Sequence, residues 1–297
     1  MEGITTQSVD SKRTQRRVNH PVAVGFGWIE APNPATSVRS VLKGCLRQKK
    51  NNKLEKMSTL NSLRTARVCI NALESHGLEL GELSDFDVVE QLIEDISKPY
   101  LTPILAPNRN DFTQENAFWL VAWDDCEPAM IIGAKLEDLK DEPIDKFWIR
   151  TARRHYPTPA GETIKSVAPH IPNELGGRLV YIGDLFVRPK NRGTLGVLEK
   201  FMLLAHLTVA IRWNPDFTYA FMRDRDVRLG FANRYGFTKH VPFARVWSDP
   251  PHGRSNSEWL VSLSRSDREH LTLNFARSTD MLRVVENESV PARVVNG

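Results

Sequence analysis

The chain has 297 residues, 41% hydrophobic and 26% charged, an ordinary globular composition that can bury one large core or two modest ones. Forty basic against 36 acidic residues leave a formal net charge of +4, an excess too small to argue for nucleic acid. Cys45, Cys69 and Cys126 stand far apart with no CxxC pair, which argues against a thiolate metal site or a disulfide framework and fits a reducing, cytoplasmic setting.

No apolar run approaches a membrane span, and the first residues lack the apolar core of a secretory signal, so a soluble protein is expected. Residues 1–20, with Lys12, Arg13, Arg16 and Arg17, read as a disordered basic tail. From Ser37 the spacing turns helical through Val38, Val41, Leu42 and Cys45; a second helical run, Leu60 to Leu73, stops at His76-Gly77. The connection between them is long and lacks a tight glycine turn, which disfavours a helix-turn-helix DNA binder. Residues 21–84 are therefore read as an N-terminal helical extension.

A third helix should start at Ser84-Asp85, carry Val88, Val89, Leu92, Ile93 and Ile96, and end at Lys98-Pro99. A proline-broken loop follows, then a β-hairpin of 118–123 and 130–136 around Asp124-Asp125-Cys126-Glu127-Pro128. Residues 137–177 carry five prolines, Pro143, Pro157, Pro159, Pro169 and Pro172, and read as a long irregular segment. A strand is expected over 179–187, closed by Pro189, followed by a wide-faced apolar helix to Trp213, a strand at 217–222 and a short helix over 226–234. Residues 243–247 and 259–263 would form a last strand pair, and 266–297 one helix and a polar tail.

Asp184 is the ionisable residue of the apolar strand 179–187, and strict alternation sends it to the face of Val180, Ile182 and Phe186. A carboxylate among such neighbours must be paired, solvated in a cleft or raised in pKa; a plain salt bridge is the bland alternative. The loop after it offers backbone N–H groups at a helix N-terminus beside Arg188, Lys190 and Arg192, a place suited to an anion such as a pyrophosphate. No HExxH pair, GxSxG elbow or P-loop competes with it.

The succession of hairpin, strand ending Asp184-Leu185-Phe186-Val187-Arg188-Pro189, loop Asn191-Arg192-Gly193-Thr194-Leu195-Gly196, long helix, strand, and short helix ending Phe231 to Gly236-Phe237 resembles the GNAT superfamily of acyl-coenzyme A-dependent N-acyltransferases. It covers roughly 85–265. The resemblance implies an α/β (α+β) fold with a mixed, largely antiparallel sheet flanked by helices and extended at the N-terminus, with a V-shaped opening between the strands of 184 and 217–222. It also implies acetyl-CoA or another acyl-CoA as co-substrate, Asp184 as the base that neutralises a small-molecule or peptide amine, and Phe186, Val187, Arg192, Gly193, Thr194, Leu195, Gly196 and Val197 around the donor. Two departures stand out: Leu195 and Val197 occupy positions where the family's loop has glycine or alanine, and Ala232 stands where a tyrosine often serves as general acid. They keep open a non-catalytic GNAT-like module, and an acyl-carrier-dependent synthase is the third alternative. Residues 137–177 would cover the acceptor side, with Arg153 and Arg154 as candidates for an acidic group on the acceptor.

Overall fold

The computed structural model describes residues 53–96, 98, 101–159, 161–194 and 196–275. The expected tail 1–20, the helix through Val38 and Cys45, Leu195 and the tail from 276 lie outside the described residues.

Helix α1 (Lys53–Glu74) ends where expected, with Gly77 at φ +77° accepting the left-handed turn. Strand β1 (Leu78–Leu83) follows, an element not expected from the sequence. Helix α2 (Phe86–Asp95) is capped by Asp85, whose carboxylate accepts from the N–H groups of Asp87 and Val88. The hairpin of β2 (Ala117–Asp124) and β3 (Glu127–Asp138) turns on Asp125 and Cys126, both at positive φ, the conformation that two-residue hairpin turns require.

Residues 137–177 are more regular than their prolines suggest. They contain α3 (Ile144–His155), β4 (Ile164–Val167) and the short α4 (Ile171–Glu174). Pro143 sits at the N-cap of α3 and Pro157 lies just beyond its end, so the prolines bracket this helix instead of breaking it. Ile144, Phe147, Trp148 and Ala152 form its buried stripe.

Strand β5 (Arg178–Val187) leads into α5 (Val197–Trp213), then β6 (Phe217–Met222). Two short helices, α6 (Asp224–Arg228) and α7 (Phe231–Arg234), replace the single one expected, because Gly230 adopts φ +81° between them. Strands β7 (Lys239–Pro242), β8 (Arg245–Trp247) and β9 (Trp259–Ser264) come next, and residues 265–275 form α8. The expected pairing of the last two strands is replaced: β9 inserts between β6 and β7, while β8 pairs with β4 in a separate two-stranded sheet.

The main sheet runs β1-β2-β3-β5-β6-β9-β7, antiparallel at every step except the parallel pair β5–β6. One face buries Phe118, Leu120, Val180 and Ile182 against α1 and α5; the other buries Trp119, Val121, Leu179, Tyr181 and Tyr219 against α2 and α3. The two sets alternate along the strands as the pleat demands. Cys69 and Leu73 of α1 and Leu78 and Leu80 of β1 lie in the first of these cores, so the described part of the N-terminal extension shares the core of the sheet. A mixed, largely antiparallel sheet with helices on both faces is the architecture that the GNAT resemblance implies.

Candidate functional site

Strand β5 changes character halfway along. It pairs with β6 only at Leu179↔Phe217, Val180↔Thr218 and Tyr181↔Tyr219; beyond these the two strands have no common register and part. Burial follows the same division, complete from Leu179 to Ile182 and partial from Gly183 to Val187 and at Phe221 and Met222. Solvent therefore reaches the sheet between its two central strands, where a closed sheet would exclude it.

A β-bulge accompanies the parting. Gly133 pairs with Gly183 but Ile131 pairs with Phe186, so β5 carries one residue more than β3 across this step. Asp184 takes the strain at φ +58°, a left-handed conformation that aspartate tolerates better than most residues with a Cβ. Gly183 is needed beside it, since a Cβ there would lie 2.9 Å from the Tyr181 hydroxyl. The extra residue reverses the alternation: Val180 and Ile182 belong to the α5 face, whereas Phe186 packs on the α2/α3 face and Leu185 and Val187 on the α5 face.

Asp184 accordingly points away from Val180 and Ile182, contrary to the simple alternation. Its carboxylate is 2% exposed and fully engaged. Lys98 Nζ donates to Oδ1 at 2.6 Å, Thr102 Oγ1 donates to Oδ2 at 2.6 Å, and the Thr102 N–H reaches both oxygens at 3.1 Å. Both of its oxygens are thus taken up by charge-assisted bonds. What it does is fasten the segment after α2 onto the bulge.

The bulge also decides which amides face the opening. Arg188 N–H donates to Ala129 O on the β3 side, so the N–H of Phe186, two residues back, turns toward its partner Ile131 in the ladder. The N–H of Val187, between them in the ladder, turns the other way, to the edge that β6 has left. Val187 thus turns its amide toward the opening, whereas the amide of Phe186 lies within the β3–β5 ladder.

Past Val187 the chain makes a 3-10 turn over Pro189–Asn191, then reaches Gly193 at φ +85° and Gly196 at φ +74°, the latter the N-cap of α5 without a side-chain cap bond. The basic residues of this loop are largely spoken for. Arg188 pairs with Glu127 at 2.8 Å and Lys190 with Asp124 at 3.1 Å, tying the loop to the hairpin tip, and Arg192 Nε donates to Val187 O at 3.0 Å. Gly193, Thr194, Gly196 and Val197 stand at the start of the helix, the Val197 N–H bonded to Thr194 O at 3.4 Å.

On the α2/α3 face, next to the place where the strands part, aromatic rings pack around buried ions. Tyr219 Oη donates to Glu137 at 2.6 Å and accepts from Trp148 Nε1 at 3.0 Å, and burial, with Glu137 beside it, holds its phenol well above the ordinary range. Burial pushes Tyr181 up to about 12, so neither phenol ionises near neutrality. Trp148, from the segment expected to cover the acceptor side, lies 5.1 Å from Phe221. Arg153 and Arg154 of the same helix face solvent, Arg154 in a bidentate pair with Asp111.

Two further positions bear on catalysis. Ala232 is wholly buried in the α5-face core and Tyr235 stacks on Phe231 at 5.7 Å, so no side chain at 232 can act as a general acid. Cys69 is buried and pushed up to about 12 by burial, too protonated to serve as a nucleophile. Among the described residues no cluster of His, Cys, Asp and Glu could hold a metal ion, and no helix is long and apolar enough to cross a membrane.

No protein-family model matches the chain, and no curated protein matches it in sequence. Solved structures resemble it. Arabidopsis thaliana NAA60, crystallised with acetyl-CoA, is 14% identical over 63% of this chain and 98% of that one, with a TM-score of 0.37. The Drosophila melanogaster polyamine N-acetyltransferase that forms N-acetylagmatine is 14% identical over 63% of this chain and 100% of that one, with a TM-score of 0.38. An acyl-CoA N-acyltransferase of Pseudomonas aeruginosa is 11% identical over 62% and 97%, with a TM-score of 0.35. Likenesses at this level leave the activity to be argued from the site itself.

Proposed function

We propose that the protein is an acyl-coenzyme A-dependent N-acyltransferase that moves an acyl group, acetyl in the simplest case, from the thioester to an amine. The observation that carries this reading is the parting of β5 and β6 beyond Tyr181↔Tyr219, beside a bulge past which the Val187 amide turns to the vacated edge. An extended donor laid along that edge would take the place of a strand, and its phosphates would fall at the uncapped start of α5, where N–H groups and the helix dipole favour negative charge. Gly193, Thr194, Gly196 and Val197 are the residues assigned to that end, with Arg192 near them.

In the reaction the amine nitrogen attacks the thioester carbonyl carbon and a C–N bond forms. The carbonyl oxygen gains negative charge, which the Val187 N–H stabilises. Collapse breaks the C–S bond and releases the coenzyme A thiolate. The amine's proton passes to solvent in the opening, and the thiolate takes up a proton from the same solvent. Asp184 enters as a positioning residue: its ion pair with Lys98 and its bonds to Thr102 hold the bulge past which the Val187 amide turns.

Calorimetry with coenzyme A and a screen of amines with labelled acetyl-CoA test the reading together. Coenzyme A is expected to bind and raise the melting temperature, and Arg192→Glu to weaken that effect. No binding at millimolar coenzyme A would remove the proposal. Binding without transfer to any amine would favour a non-catalytic module, the alternative that the buried Ala232 supports. For Asp184→Asn, a base role predicts a loss of about 10²- to 10⁴-fold and a changed acid limb in the pH profile of kcat/KM; the positioning role predicts lower turnover and melting temperature with the acid limb unmoved.

A further inference from the structure

Buried charges on the α2/α3 face do not balance. Lys98 pairs with Asp184 and Lys135 with Glu137, one cation to one carboxylate. Glu258 is shared between two arginines, Arg245 Nη2 at 3.0 Å and Arg254 Nη1 at 3.1 Å, and all three side chains are at most 6% exposed. Tyr156 and Tyr181, the phenols beside Arg254, are both raised by burial and supply no negative charge. One guanidinium charge is left over in a place where an uncompensated charge is costly.

The hydrogen-bond inventory has the same bias. Arg245 Nε, Arg254 Nη2 and Trp247 Nε1 are buried without an acceptor among the described residues. All three are donors with no accepting capacity, so only an incoming acceptor can satisfy them. The guanidinium of Arg245 lies 3.5 Å from the centre of the Phe221 ring and 4.5 Å from that of Trp247, and Arg254 Nε donates to Tyr156 Oη at 2.8 Å. These contacts fix both forks rigidly.

Their location gives the imbalance a meaning. Phe221 is on β6 just past its last pairing with β5, where the sheet is open to solvent. Tyr181, which Arg254 faces, has its hydroxyl beside Gly183 at the bulge. The spare donors therefore sit next to the opening, on the face opposite to α5.

We infer that Arg245 and Arg254 hold a carboxylate of the acceptor, so that the amine acylated at the bulge belongs to an amino acid or a similar amine that bears a carboxylate close by. This rests on the acyl-transfer reading for the amine's fate, but not for the anion site itself. Two guanidinium groups with one shared counter-ion recognise a planar carboxylate through paired N–H donors. The carboxylate restores both the charge balance and the donor inventory in one step. Glu258 competes with it for the same two forks.

Paired probes test this on the full-length protein with coenzyme A present: the common α-amino acids, each beside its decarboxylated amine, by calorimetry and melting temperature. The best amino acid is expected to bind at least about tenfold more tightly than its amine, as a charge-assisted pair of bonds implies. Arg254→Gln should abolish that difference. Because this variant removes a buried charge and can fail to fold, Glu258→Gln provides a test of opposite sign: freeing the forks from their internal carboxylate should tighten amino-acid binding while lowering stability, and a purely structural triad would give lower stability with no gain in affinity. Equal binding of acid and amine, preference for the amine, or weaker binding in Glu258→Gln overturns the inference. Coenzyme A binding with no carboxylate preference overturns this proposal alone; carboxylate preference in a protein that does not bind coenzyme A overturns acyl transfer alone.

Discussion

The face of the sheet covered by α1 and α5 and the face covered by α2 and α3 bury similar numbers of side chains with different chemistry. Against α5 lie Phe118, Leu120, Met130, Ile132, Val180 and Ile182, met by Phe201, Met202, Leu204 and Leu207. Opposite them, aromatic rings surround three carboxylates, Asp184, Glu137 and Glu258, and four cations, Lys98, Lys135, Arg245 and Arg254. The first face can be held by packing alone, since its polar groups are few. The second depends on every ion finding a partner, and that kind of surface specifies position more than it adds stability. The division teaches why the sheet can open at its centre: the α5 face keeps the two halves in register while the other face supplies groups that a ligand can meet.

Acid should expose what the faces share, and with both buried histidines counted it has the largest expected effect. Each face buries one neutral histidine. On the α5 face burial lowers His206 to about 4, with Nε2 donating to Tyr235 O and Nδ1 unpartnered. On the other, burial lowers His155 to about 3, with Lys135, Arg154, Arg254 and Arg245 adding repulsion. A histidine whose folded pKa is depressed contributes its full stability above the unfolded value near 6.5. That contribution falls as pH drops toward the folded value, because the unfolded chain takes the proton first. For His206 alone the loss amounts to about 3 kcal/mol between pH 6.5 and 4. Urea titrations over this range should show it, and His206→Gln should flatten the slope; an unchanged slope would mean that His206 is protonated in the folded protein.

The next largest effect separates the faces. Phe201 is fully buried between α5 and the sheet, and Phe201→Ala should cost about 3–5 kcal/mol through the lost contacts and the cavity left behind. Tyr219→Phe changes a single oxygen on the other face. It removes the donor to Glu137 and the acceptor for Trp148 Nε1, and orphaning these buried groups should cost about 1–3 kcal/mol. Chemical denaturation of both variants checks the order; a larger loss for Tyr219→Phe would mean that the polar network, not the packed face, holds the sheet.

The same contrast explains what was legible in the sequence. Elements of the α5 face announce themselves through periodicity: α1 up to Gly77, the long helix ending at Trp213, and strands β2, β3 and β6 all fall close to where the apolar spacing puts them. On the polar face α2 was legible from its Asp85 cap and apolar spacing, but the other elements were less so. Helix α3 was hidden by the prolines that bracket it, β7 is only four residues long, and β8, expected within 243–247, pairs with β4 and not with β9. The bulge at Asp184 inverts the alternation on which the orientation of that residue depended. Asp184 was legible as an ion in an apolar strand, but its partners Lys98 and Thr102 lie 86 and 82 residues away. Arg245 and Arg254 gave no local signal at all, since a buried guanidinium is marked only by what surrounds it in space.

The smallest effect sharpens the comparison within one face, between exposed and buried arginines. Arg153 and Arg154 belong to the last turn of α3, where cations complement the helix dipole, and through their paired bonds Asp111 raises the pKa of Arg154 while Arg154 lowers that of Asp111. Both members of that pair are open to water, and exposed pairs contribute little because solvent screens them and holding long side chains costs entropy. The double variant Arg153→Ala/Arg154→Ala should therefore leave the melting temperature where it was, most plainly at high salt. Acceptor selectivity should also persist, because the guanidinium groups assigned to the acceptor lie beneath Phe221 and beside Tyr181, not on the outer side of α3. Turnover of the best amine by wild type and by the double variant, measured with the same acetyl-CoA concentration, checks this. A selective rise in KM for the acceptor in the double variant would move acceptor recognition from the buried forks to the helix surface, and would make the two arginines first suspected from their charge the better choice.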